Sequence, residues 1–258
     1  MSDAIARPRI DRTVVLVLLG LLTGLSWTFL ALRVAHVALP AAANAVRTLP
    51  APWRHADLAL LFALWEAMLA AMLLPTAAPP VLLYARVKRL HRERWVYAGT
   101  FMFMLGYVCV WTCCALAATL AGWALHDAGM LDEALAVPNP TVTALGLVAA
   151  GVYQWTPAKH VCLDNGRFPL AFILTHWRRG AWGAFRMGVT DARYGIGCCW
   201  LLLALAFPVG VLNLPVMLPV IGGLTCLMLV EKLLPGGHLL ACATGLGLLA
   251  WGTSLLFP

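Results

Sequence analysis

Charge is what this chain lacks. Only 11% of its 258 residues are Asp, Glu, Lys or Arg, against about 25% in a soluble domain. That scarcity excludes a water-facing globular surface, and no stretch is polar enough to form a separate soluble domain. Also missing are a Gly-x-Ser-x-Gly elbow, a P-loop, a Rossmann glycine fingerprint, His-Glu-x-x-His and Cys-x-x-Cys. Their absence removes the common hydrolase, nucleotide-binding, zinc-protease and dithiol readings. No haem or iron–sulfur ligation motif is present either.

What is there is apolar. Hydrophobic residues make up 62% of the chain, mean hydropathy is +0.85, and runs near the length of a membrane span recur throughout. The expected fold is an all-α, polytopic transmembrane helix bundle of six or seven spans, forming one integral membrane domain over 1–258. The segments fall near 14–36, 57–84, 95–125, 141–158, 196–212, 215–233 and 239–256. The fifth and sixth are joined by a tight turn at Asn213-Leu214 before Pro215. The first segment follows Arg7, Arg9 and Arg12 and is long for a signal-peptide core. It is expected to be retained, although the Ala-rich tract over 39–45 imitates a cleavage site.

The net charge of +7 marks topology rather than nucleic-acid binding. Basic residues concentrate in the N-terminal tail, after the second segment (Arg86, Lys88, Arg89, Arg92, Arg94), and after the fourth (Lys159, Arg167, Arg178, Arg179, Arg186, Arg193). Lys232 follows the sixth. The intervening loops hold only Arg47 and Arg54, or no Lys or Arg at all between Leu125 and Thr141. The positive-inside rule therefore places the N-terminus and the rich loops in the cytoplasm of a bacterial inner membrane. Eight cysteines, mostly in apolar segments or at their cytoplasmic ends, read as reduced thiols.

Residues 167–193 alternate Arg and His with Phe168, Leu170, Phe172, Ile173, Trp177, Trp182, Phe185 and Met187. This pattern predicts an interfacial helix pair on the inner leaflet, its arginines meeting anionic lipid headgroups. Pro75, Pro79 and Pro80 in the second segment predict a kink that frees a carbonyl near residue 71.

The densest collection of reactive groups stands where the fourth segment ends and the fifth begins. His160 and Cys162 close one, and Cys198 and Cys199 open the other. Thiolates beside an imidazole suit a soft metal, copper first and zinc second. Adjacent cysteines point about 100° apart on a helix, so one could bind while the other packs. Gln154, Lys159 and Glu231 lie at a similar depth and serve as supporting residues, with a Lys159–Glu231 pair anticipated. Secondary candidates are Cys109 and Cys113, which share a face of the third segment, and Met68 and Met72, which share one with Trp65. Such stripes can pass Cu(I) along or only pack. Glu66 is a carboxylate inside the outer half of a span, where charge is costly. His55 and Asp57 lie near its outer end.

These motifs carry a resemblance. Ala71-Met72-Leu73-Leu74-Pro75 with Ala78-Pro79, Gly106-Tyr107 with Trp111, and Tyr153-Gln154 through Pro157-Ala158-Lys159 and Cys162-Leu163 form its first part. Gly197-Cys198-Cys199-Trp200, Asn213 and Glu231-Lys232 complete it. The combination resembles a family known mainly as a domain of unknown function, DUF2182, described as predicted metal-binding integral membrane proteins. It covers about 60–235, leaving the helices at 14–36 and 239–256 as additions. Two positions depart from that pattern. Asn165-Gly166-Arg167 stands where the family places a second cysteine, and Gly195 stands where it places another.

The function expected is binding or handling of a soft metal, copper above all, for delivery to or assembly of a membrane oxidoreductase, or to a metal-carrier protein. One rival is a metal-dependent membrane oxidoreductase or monooxygenase component. The other is a structural subunit or small-solute permease without metal.

Overall fold

A computed structural model describes residues 3–41, 55–91 and 95–257. Arg47, Arg54, Arg92, Arg94 and most of the Ala-rich tract lie outside them. The described residues are helical with no strand. The helices are α1 (Asp3–Ala41), α2 (His55–Leu90), α3 (Val96–Asp127), α4 (Pro140–Tyr153), α5 (Pro157–Arg167), α6 (Pro169–Thr175), α7 (Gly180–Ala204), α8 (Ala206–Val209), α9 (Leu214–Leu233) and α10 (Gly237–Leu256). Six are long and apolar enough to cross a membrane: α1, α2, α3, α7 continued by α8, α9 and α10.

Proline sets many of the starts. Pro140, Pro157 and Pro169 open α4, α5 and α6, and Pro215 stands in the first turn of α9. At these positions the missing N–H has no helical partner to lose, and the ring fixes a helical φ. Pro75, Pro79 and Pro80 are different, lying within α2, which continues through all three. The Thr76 hydroxyl donates to the Leu73 carbonyl at 2.9 Å within the same stretch.

The central contact joins α3 and α7, which run parallel. Gly188 sits on the Phe103 carbonyl, Gly106 on the Phe185 carbonyl, and Gly195 beside Trp111. Small residues let the two backbones touch. α2 packs between α3, α1 and α9, and α10 lies antiparallel on α4. There Gly151 meets Gly245 and Leu249, and Gly252 meets Ala144 and Val148.

Two expectations need correction. Residues 167–193 do not form an interfacial helix pair: only the seven-residue α6 is separate, and from Gly180 the chain is already one helix with the apolar run that follows. Its arginines lower the local hydropathy, but Ala184, Gly188 and Ala192, spaced by four and buried, seat it on α3. The fourth segment is not one helix either. It breaks at Gln154–Thr156 because Pro157 has no N–H to give and disfavours helical geometry at Thr156, which is extended (φ −75°, ψ 146°). At 14 residues, α4 is about 21 Å long, short of the roughly 30 Å hydrocarbon core. α5, which follows the break, is polar (Pro157–Arg167) and carries Lys159, His160 and Cys162.

At the opposite end the α3–α4 loop folds back onto the bundle. Asp132 Oδ1 accepts from the amides of Ala134 and Ala136 at 2.9 and 2.8 Å. The loop reaches the α8 end through Val137 N to Phe207 O and Leu212 N to Ala134 O, both 3.1 Å. Leu135 takes positive φ and is fully buried.

Candidate metal centre

The break between α4 and α5 aims side chains at α7. Thr156 caps α5 by accepting from the Lys159 amide at 3.3 Å, and its hydroxyl donates to the Tyr153 carbonyl at 2.7 Å. That turn fixes where Tyr153, Lys159 and Cys162 point. The Tyr153 hydroxyl donates to the Gly197 carbonyl, and its ring meets Trp200 edge-on at 5.8 Å. Lys159 Nζ donates to the Cys198 carbonyl at 2.9 Å and pairs with Glu231 Oε2 at 2.9 Å. Both charges of this pair are fully buried, so one ammonium ties α5, α7 and α9 together, as the sequence pairing of Lys159 with Glu231 anticipated.

Between these ties lies a cavity of about 20 Å³, room for one water-sized atom. Cys162 of α5 and Cys198 of α7 both line it, with Tyr107, Asn165, Asp191 and Lys232 among the polar groups around them. The two cysteines also pack together with Leu163 and Ala241. A methyl group on Gly197 would lie 2.5 Å from Cys162 Sγ, so the glycine is a seat for that sulfur.

The other proposed ligands are turned elsewhere. Two residues along a helix rotate by about 200°, which directs His160 away from Cys162. Its ring lies edge-on to His238 at 4.9 Å, and His238 Nε2 meets Asp164 Oδ1 at 2.7 Å. Cys199 is buried in the main core, its thiol donating to the Gly195 carbonyl at 3.1 Å. Gln154 is buried, and neither amide atom has a partner among the described residues. Glu231 Oε1 and His160 Nε2 are likewise buried without one.

Among the secondary candidates, Cys109 and Cys113 are exposed on the outside of α3, away from the cavity. Met68 and Met72 are buried against α9. Glu66 is half-buried, with Oε1 lacking a partner among the described residues.

Sequence reasoning missed Asp191. It is the one acidic residue between Asp164 and Glu231, it is buried, and it lies one turn beyond Gly188 on the face that meets α3. A lone carboxylate on a small-residue stripe is a functional signal inside a membrane, and the stripe was readable.

The donor set discriminates between metals. Among the described residues no three His, Cys, Asp or Glu side chains are arranged to hold one ion. Zinc wants three or four protein ligands. Two neighbouring thiols suit Cu(I), a soft ion that accepts two sulfurs in line.

No curated protein and no solved structure matches the chain. One family does: its description reads PpoB2, copper chaperone, and it matches residues 62–255, from the second helix to the last. With most of the 258 residues inside that match, the chain belongs to the PpoB2 copper chaperone family.

Proposed function

We propose that this chain is a copper chaperone of the bacterial inner membrane, carrying Cu(I) as cargo on Cys162 and Cys198. The observation that carries the reading is the placement of both thiols on one polar cavity, seated by Gly197 and braced by Tyr153, Lys159 and Glu231. Two thiolates hold Cu(I) tightly yet leave it open to a third sulfur. An incoming donor can therefore bind before one of the two lets go, and the ion passes on without being released to water. Asp191 and Lys232 face the same cavity with opposite charges, so neither sign dominates around the thiols. Lys159 holds the site through the Cys198 carbonyl and Glu231 rather than ligating, and Cys199 packs in the main core.

The recipient would be a membrane oxidoreductase or another metal carrier. A cavity of about 20 Å³ suits an ion better than an organic substrate, which favours the carrier over the oxygenase component. We also propose that the resemblance to DUF2182 and the PpoB2 match describe one family, since the residues behind the first, 71–232, lie within the second. The whole chain then forms one membrane domain with its N-terminus in the cytoplasm. A reporter in the 128–138 loop should read periplasm and one at 86–91 cytoplasm; both on one side would overturn that orientation.

The reading is tested by anaerobic Cu(I) titration of the detergent-purified chain against a Cu(I) chelator. Cys162→Ser with Cys198→Ser is expected to weaken the tightest site by more than about 100-fold, beyond the usual effect of an outer-shell change, with the unfolding midpoint unchanged. Gly197→Ala should displace only the Cys162 thiol, the far end of a flexible side chain. It is expected to weaken that site about 10–100-fold at little cost in stability. Wild-type affinity in the double serine variant would end the proposal.

A further inference from the structure

A second cavity, of about 10 Å³, lies between α2, α9 and the end of α7. Three thioethers line it: Met68 and Met72 from α2 and Met217 from α9, all buried. Trp65 closes one side, its Nε1 buried without an acceptor among the described residues and its ring against Phe207 at 5.7 Å. The remaining walls are Leu, Val, Ile and Ala. Every donor is neutral and soft, so hard cations and zinc find no ligand here, whereas thioethers select Cu(I). The indole face offers the cation a further attraction.

Position gives the cavity its meaning. Met72 on its wall and Thr76 on the wall of the thiol cavity are four residues apart on α2, and Leu203 and Cys198 are five apart on α7. At 1.5 Å per residue the nearest walls of the two cavities are about 6–8 Å apart along α2 and α7, and about 12 Å apart along α9 between Leu224 and Lys232, the thiol pair toward the α5 end and the thioethers toward α8. We propose that Met68, Met72 and Met217 form a second Cu(I) site, a relay station for the ion held at Cys162 and Cys198. Binding at the thioethers stands by itself; the relay rests on the function proposed above. Passage from two anionic sulfurs to three neutral ones makes the second site the weaker holder and the readier donor.

The test uses the full chain labelled with selenomethionine, carrying Cys162→Ser and Cys198→Ser, loaded anaerobically with Cu(I) and read by X-ray absorption at the copper edge. Copper–selenium scattering is expected, and it should vanish when Met68→Leu and Met217→Leu are added, a swap of similar volume that cores tolerate. In the unmutated chain two Cu(I) per protein are expected, falling to one with either pair of substitutions. A stoichiometry of one that the leucine pair leaves unchanged, with no copper–selenium scattering in the serine variant, overturns the site. Scattering that survives the leucine pair also overturns it, by placing the copper on other methionines. Should the serine pair leave the tightest affinity intact while selenium scattering is seen and lost as described, the thiol reading falls and the thioether site stands.

Discussion

Lys159→Met is expected to cost about 3–5 kcal/mol of stability, the usual penalty for breaking a buried ion pair. The ammonium is fully buried and its partner Glu231 equally so. With the lysine gone, Glu231 keeps a buried carboxylate whose Oε1 already lacks a partner among the described residues. Converting both members, Lys159→Met with Glu231→Leu, is expected to restore most of the loss, because an apolar pair of similar volume is often as stable as the ion pair it replaces. Copper affinity should separate from stability across this set. Both variants lose the Lys159 bond to the Cys198 carbonyl, so both should bind Cu(I) less tightly, although only one is unstable. The check is the unfolding midpoint and the chelator titration on all three proteins. A double variant as unstable as the single one would show that the lysine stabilises through its bond to α7 rather than through charge.

Gly188→Ala is the second large effect. An added methyl would stand 1.9 Å from the Phe103 carbonyl oxygen and 3.0 Å from the Tyr107 amide nitrogen. These are backbone atoms within a helix and cannot turn aside, so α3 and α7 must part. Alanine gains about 1 kcal/mol over glycine in helix propensity, and overpacking costs about 1–3 kcal/mol, occasionally more. With rigid backbone as the obstacle the steric term is expected to win, giving a net loss of about 2 kcal/mol. Gly24 is the control: nothing lies within 4 Å of its added methyl, so Gly24→Ala should be neutral or slightly stabilising. Equal midpoints for the two variants would contradict the backbone contact between α3 and α7. Because Asp191 follows Gly188 by one turn, the same substitution should also loosen the thiol cavity.

The all-α character and the crossing segments were legible because each depends on local hydropathy. The inner half of α7 was not, since Arg178, Arg179, Arg186 and Arg193 masked a helix whose buried face is glycine and alanine. The approach of Cys162 to Cys198 was readable from their common depth at the ends of neighbouring spans. His160 was misjoined to Cys162 because closeness in sequence hid the half-turn between them. Met217 could not be found beforehand. Its partnership with Met68 and Met72 depends on α2 lying beside α9, a contact between residues nearly 150 positions apart, and nothing local announces it.

The parallel pairing of α3 and α7 constrains how the chain is made. Two parallel neighbours need a returning segment between them, and here that segment is the short α4 followed by the break at Gln154–Thr156 and by α5. α7 cannot settle on α3 until it is in place. α4 in turn finds its principal neighbour in α10, the last helix among the described residues. The ribosome therefore delivers Cys162 and Cys198 before α10, the helix against which α4 packs. The packing of the two thiols beside Ala241 of α10 is therefore complete only when that helix has joined the others.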